Sequence, residues 1–382
     1  MKRIPITPRP DWEQKILQQG FLFYNDDNYY NESAAYEFTY DEIALIETAT
    51  AELYRMCLAV VAHVIEHQLW DEFFIPREYA ALIEWSWKTD QPAVYGRFDL
   101  AYNNGQVKML EFNADTPTLL LESSAIQWFW LHEFNNDLDQ YNSIHDKLVA
   151  HLRRCKPRLQ PGKLFFTAPD NEEDFVTVQY MRDAAAQAGI ETDFLFIQDI
   201  CLNEQNQFTT PEGEIIFNIF KIYPYEWLFE EPFGQYLPVN KDRCCWLEPP
   251  WKAILSNKMM LKYICNLFPG SPYLLPCTCA NPGEAVSLPA SYAKKPIFSR
   301  EGENVALIKN GTTIETTDGE YGREGFIYQQ YFELPEFDGW HPIIGSWVIG
   351  GEPAGMGIRE SRSRITSVTS SFCAHYISPS VD

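Results

Sequence analysis

Between Tyr95 and Asn113 two short runs, YGRFDLAYN and QVKMLEFN, alternate apolar and polar residues on either side of a turn. They are joined through Asn103-Asn104-Gly105, which predicts a β-hairpin with glycine at a positive φ. The register decides what the two faces carry. A three-residue loop pairs Tyr102 with Gln106 and puts Arg97, Asp99, Glu111 and Asn113 on one face. Phe98, Leu100, Leu110 and Phe112 then share the other. A two-residue Asn-Gly loop shifts the pairing by one and sends Asp99 and Glu111 to opposite faces. The clean apolar side favours the first register.

The same patterning organises the rest of the chain. Residues up to about Glu37 read as irregular packing segments. Thr39 and Glu42 form a capping box, and the helix it opens carries Ile46, Ala49, Leu53, Met56, Val60 and Val64 on one stripe. Amphipathic segments follow at Glu78 to Trp87, Leu119 to Phe134 and Asp139 to Arg154, closing a first unit at residues 1–155. A second unit, 156–248, begins with a strand at Lys163 and continues through the acidic loop Asp170 to Asp174. A helix follows, with Gly189 as its C-cap, then strands at Thr192 to Ile197 and Ile215 to Ile219. This is a small open, Rossmann-like α/β unit. The third, 249–382, has a helix over Trp251 to Phe268. Strands are predicted at Tyr292 to Phe298, Val305 to Ile308, Phe326 to Leu334 and Trp347 to Gly351. The fold class is therefore α/β, shading into α+β.

Composition adds bounds. The chain has 382 residues, 46% of them hydrophobic and 15% aromatic, enough for a substantial shared core. Its net charge of -23 argues against nucleic acid or an anionic membrane as partner. The nine cysteines form no paired zinc spacing, and the N-terminus MKRIPITPRPDW has no apolar core of a secretory signal. A reduced, cytoplasmic protein fits best.

The polar face of the hairpin carries chemistry: two carboxylates and an amide are hard-oxygen donors suited to Mg2+ with phosphate. Arg97 supplies a fork for a carboxylate or phosphoryl group. Thr116 and Thr118 follow where a turn feeds a helix, a place that caps the helix or binds an anion. A competing pattern is His63-Val-Ile-Glu66-His67, the HxxEH of some zinc hydrolases, which would make the helix a metal-ligand platform. A nucleotide-binding module without catalysis is a third reading.

RFDLAY followed by LEFNADTPT resembles the signature of the glutathionylspermidine synthase family, specifically its free-standing synthetase-like members. The resemblance implies an ATP-grasp fold and an ATP- and Mg2+-dependent ligase. In that family the glycine carboxylate of a thiol peptide, glutathione, is joined to an amine of the polyamine spermidine through an acyl phosphate. Asp99, Glu111 and Asn113 become metal ligands, and Arg97 faces the transferred phosphoryl group. Lys258 in LSNKM resembles an ATP-phosphate ligand. KKPIFSREGEN resembles the family's lid strand, with Lys295 on nucleotide phosphates and Arg300 on the transferred phosphoryl. Gln329 and Gln330 lie in a segment that resembles the adenine hinge. Arg359 in GGEPAGMGIRE, with Thr116 and Thr118, resembles the acid-substrate site. Glu173 and Asp174 align with an acidic pair that receives the polyamine, although such a pair also suits a helix N-terminus. The family's second position there is Glu, and Ile222 replaces a hydroxyl residue near the polyamine. The amidase domain of bifunctional members has no counterpart here, so no hydrolysis of the product is expected. Metal ligands early and nucleotide lysines late resemble the permuted arrangement of eukaryotic glutathione synthetase.

Overall fold

A computed structural model describes residues 1–280, 288–367 and 369–379. Three sheets dominate. The largest runs Lys2–Pro5, Tyr30–Phe38, Ser371–Ile377, Glu352–Ser361, His341–Ile349, Tyr95–Asn103, Gln106–Asn113. Its neighbours are antiparallel except Tyr30–Phe38 against Ser371–Ile377, which are parallel. A parallel sheet follows the order Cys245–Leu247, Asn218–Lys221, Leu164–Ala168, Thr192–Phe196, with helix Glu172–Gln187 as the crossover between its last two strands. An antiparallel sheet runs Cys277–Ala280, Phe326–Gln330, Tyr292–Pro296, Ala306–Lys309, Thr312–Thr316. The sheets do not follow chain order. Strands from residues 341–377, assigned by sequence to the third unit, complete the sheet that residues 2–113 begin.

The capping box forms as expected. Thr39 Oγ1 accepts from the Glu42 N–H at 3.3 Å, and Glu42 Oε2 accepts from the Thr39 N–H at 3.0 Å. The helix it opens spans Tyr40–His67 and buries the whole predicted stripe. By length and composition this helix could cross a bilayer; here its apolar stripe lies in the main core with residues of the large sheet.

The hairpin departs from its expected register in an informative way. Asn103 pairs with Gln106, so the loop is the two-residue Asn104-Gly105 turn, with φ of 50° and 72°. Two positive φ angles define the turn whose twist best matches a hairpin. That register alone would separate Asp99 from Glu111. A β-bulge at Leu110 inserts one residue into the return strand, after which Asp99 pairs with Glu111 and Arg97 with Asn113. The four polar residues therefore do share a face. Leu110 does not join Phe98, Leu100 and Phe112, as the three-residue loop required; Met109 takes its place in the core, and Leu110 packs beside Leu334 and Ile343.

Beyond the hairpin the chain is pinned to the parallel sheet. Lys221 Nζ meets Asp115 Oδ1 at 2.6 Å with both side chains essentially inaccessible, and Asp115 Oδ2 accepts from the Tyr225 N–H at 3.1 Å. The ammonium also lies 3.8 Å from the centre of the Tyr225 ring. Removing one partner of such a pair strands a buried charge. Asp115→Asn should lose about 3–5 kcal/mol of stability in urea unfolding. The double variant Asp115→Asn/Lys221→Met should recover most of it. Additive losses would contradict this assignment.

Candidate active site

Where the hairpin's polar face meets the antiparallel sheet, a cleft of about 280 Å³ opens. Arg97, Asp99, Glu111, Asn113, Thr116, Thr118, Asp174, Lys258, Lys295, Arg300, Gln329, Gln330 and Arg359 all line it. Of the residues that the family resemblance assigned to the site, Glu173 alone is not on that lining. The strands behind explain the convergence: Asp99 lies opposite both Glu111 and Gly345, and Ile343 faces Arg359.

Asp99 is held by two guanidinium groups. Arg97 Nε donates to its Oδ1 at 2.8 Å, and Arg359 Nη2 lies 3.4 Å from its Oδ2. Arg97 is further fixed by the Thr118 carbonyl, which accepts from its Nη1 at 2.8 Å. Burial would raise the Glu111 carboxyl, but Lys258, Lys295, Arg97 and Arg359 outweigh it and hold the group at about 2. Glu111 is thus an anion at any physiological pH.

Lys258 reaches the cleft through a break in the chain. A continuous helix was expected over Trp251 to Phe268; the structure has a 3₁₀ segment at Pro250–Ile254 and an α-helix at Met259–Leu267. Asn257 causes the interruption: its Oδ1 accepts from the Met259 N–H at 2.8 Å, and its Nδ2 donates to the Phe73 carbonyl at 2.7 Å. Lys258 emerges at this break, 3.5 Å from Glu111 Oε2 and bonded to the Ser299 carbonyl.

Lys295 donates to the Leu110 carbonyl at 3.0 Å and to Gln329 Oε1 at 2.9 Å. Arg300 donates through Nη1 to Thr116 Oγ1 at 3.0 Å and through Nη2 to Glu226 Oε1 at 2.6 Å. Burial pushes the Asp174 carboxyl up to about 6, against its Asn171 hydrogen bond and with help from Glu173 and Glu301.

Sequence reasoning passed over Glu226, the ion-pair partner of Arg300, and Lys221, which anchors the Asp115 loop. The available signal was a lysine inside the apolar strand run NIFKIYP, a residue that needs a buried partner.

The donor set fits a magnesium nucleotide. Mg2+ typically takes one or two carboxylates and completes its shell with phosphate and water. Asp99 and Glu111 face the same side, and the buried Nδ2 of Asn113 has no hydrogen-bond partner among the described residues, so no bond there fixes that amide. Among the described residues no three His, Cys, Asp or Glu side chains form a metal-holding group. The HxxEH histidines lie outside the cleft, and His67 Nδ1 is bonded to the His63 carbonyl at 2.9 Å.

An α/β protein with Lys295 of its antiparallel sheet, Arg300 of the loop that follows and Lys258 gathered over a carboxylate-bearing hairpin has the architecture of an ATP-grasp-type ligase. Residues 3–378 match the family described as glutathionylspermidine synthase preATP-grasp, and the chain belongs to that family. It is 39% identical to a Haemophilus influenzae protein named "Putative acid--amine ligase", covering 99% of this chain and 100% of that one. It is 31% identical to trypanothione synthetase of Crithidia fasciculata over 79% of this chain, but spans only 50% of that protein. A solved structure of a glutathione synthetase-like effector from Globodera pallida shares the fold, with a TM-score of 0.55 at 12% identity, covering 98% of this chain and 100% of that one. Family membership and these names support a ligase.

After Thr118 the chain enters a π-helical turn, Glu122–Ile126, where Glu122 is 2% exposed and accepts from the Tyr29 hydroxyl at 2.9 Å. Burial, reinforced by Glu173, pushes its carboxyl up to about 7, against an ordinary value of 4.5. The unfolded chain therefore gives up this proton first. Glu122 should make stability fall as pH rises from 4.5 to about 7. Glu122→Gln should remove that slope from the urea midpoint measured against pH; an unchanged slope would exclude this origin.

Proposed function

We propose that this protein is an ATP- and Mg2+-dependent carboxylate–amine ligase that forms an amide through an acyl phosphate. The observation that carries the reading is the meeting of Asp99 and Glu111 with Lys258, Lys295 and Arg300 around one cleft. Asp99, Glu111 and Asn113 would hold Mg2+, which when bound neutralises phosphate charge. Lys258 and Lys295 bind the nucleotide phosphates, with the strand at Gln329 and Gln330 along the adenine.

Arg97 and Arg300 offset charge on the phosphoryl group as a substrate carboxylate oxygen bonds to the γ-phosphorus and the bond to ADP breaks. Arg359, Thr116 and Thr118 position that acid, a thiol peptide such as glutathione. Glu173 and Asp174 attract the amine, a polyamine or another amine. Its nitrogen then attacks the acyl carbon, the carbon–oxygen bond to phosphate breaks, and the nitrogen gives up a proton. A closed cleft keeps water from the acyl phosphate. The nine cysteines, all free, suit a reducing compartment, and we place the enzyme in the cytoplasm.

Phosphate release from ATP, measured against thiol peptides and polyamines singly and in pairs, tests the reading. Release should need both an acid and an amine; release that needs neither, or stoichiometric zinc with peptide hydrolysis, would overturn it. Arg300→Ala should leave Mg·ATP affinity within a few-fold and cut turnover by about 10²–10³. Normal turnover in that variant would remove Arg300 from the chemistry.

A further inference from the structure

The β-bulge that brings Asp99 and Glu111 together leaves backbone groups outside the hairpin ladder. The Met109 N–H finds the Tyr273 carbonyl at 2.8 Å. Its own carbonyl accepts from Gln329 Nε2 at 3.1 Å, and the Leu110 carbonyl accepts from Lys295. Gln329 is 2% exposed, and both ends of its amide are engaged, with Oε1 on Lys295 and Nε2 on the hairpin. The amide cannot be turned round, because that would set NH₂ against an ammonium and oxygen against a carbonyl oxygen. Gln329 and Lys295 reach each other because Ala293 pairs with Gln329, which places Lys295 diagonally across the same face.

We propose that Gln329 is a positioning residue for Lys295. It clamps the lysine to the bulge so that two ammonium protons are spent on Gln329 and Leu110 and the third faces the cleft. The inference rests on the nucleotide reading of that cleft and deepens it: the Gln329 side chain acts through Lys295 and does not itself touch the nucleotide. An ammonium has three donors and no acceptor, so two fixed bonds set the direction of the third. Both partners are neutral oxygens, so neither cancels the ammonium's charge. Of the side chains of this length only an amide serves both ends, since glutamate lacks the donor and methionine lacks both groups.

The test is a double-mutant cycle on Mg·ATP affinity by titration calorimetry, with the folded state of each variant checked by circular dichroism. Gln329→Met should weaken binding about tenfold, the scale of a hydrogen bond to a charged group. In a Lys295→Met background the same change should have almost no further effect. A purely structural role for Gln329 predicts the same loss in both backgrounds, and that result would overturn the proposal, as would wild-type affinity in Gln329→Met. Should Gln329→Met fail to fold, Gln329→Asn replaces it in the cycle. Its amide sits on a stem one carbon shorter and cannot span both partners, so a loss dependent on Lys295 is again expected. If the unaltered protein binds no Mg·ATP, the nucleotide reading falls and this inference with it; if it binds and the two substitutions add, only this inference falls.

Discussion

One extra residue in a β-strand sets the geometry of the cleft. The Asn104-Gly105 turn satisfies local backbone preference, yet carried through, its register would turn Asp99 and Glu111 away from each other. The bulge at Leu110 reverses the parity of the return strand beyond it, so the turn and the carboxylate face both keep their preferred arrangement. A bulge interrupts ladder hydrogen bonds, and the freed groups must be satisfied elsewhere. Here Tyr273, Gln329 and Lys295 satisfy them. The irregularity that unites the two carboxylates is therefore also the joint between the large sheet and the antiparallel sheet above it.

The cations around the cleft fall into two kinds by the partners they have. Lys295 is anchored on the Leu110 carbonyl and the Gln329 amide oxygen, dipoles that orient an ammonium without cancelling its charge, whereas Lys258, bonded to the Ser299 carbonyl, also lies 3.5 Å from Glu111 Oε2. Arg97 and Arg359 lean on Asp99, and Arg300 on Glu226, all carboxylates. An anion entering the cleft meets Lys295 already pointed, while Lys258 and the guanidinium groups must exchange or share a carboxylate to meet it. Preorganised charge lowers the reorganisation cost of binding, and exchangeable pairs respond once a ligand is present.

The apolar record of the sequence was enough for some elements and not for others: the residues up to about Glu37, expected to be irregular, form strands Lys2–Pro5 and Tyr30–Phe38 and helix Trp12–Gln18. The Tyr40–His67 stripe, its capping box and the alternation along Tyr95–Asn113 are local features, and local physics places them. The joint faces of Arg97, Asp99, Glu111 and Asn113 were legible for a weaker reason. Parity survives an even number of register errors, and the loop shift and the bulge cancel. The bulge itself was invisible, because Met109 and Leu110 are both apolar and either could face the core. Glu226 and the side-chain role of Gln329 were out of reach because each depends on a partner 74 or 34 residues away. The break at Asn257 left a trace: asparagine competes with helix through its own backbone bonds. Its outcome still depended on the Phe73 carbonyl, 184 positions distant.

The far end of the cleft obeys a different logic from the end lined by Lys258 and Lys295. Ile222 lines it with a buried apolar side chain and offers no hydrogen bond to an amine. Glu226 has one oxygen on Arg300 and the other buried without a partner among the described residues. Asp174, raised toward 6, would gain from a cation: a neighbouring ammonium lowers a carboxyl's pKa, so binding of a cation there and ionisation of Asp174 would favour one another. Burial alone makes that carboxylate costly, and the like charges of Glu173 and Glu301 add to the cost. An ammonium relieves both penalties at once, whereas a neutral or anionic group relieves neither. Selection for a cation at this end would then come from strain among carboxylates, with the shape of the apolar wall at Ile222, Pro224 and Trp227 left to discriminate between one amine and another.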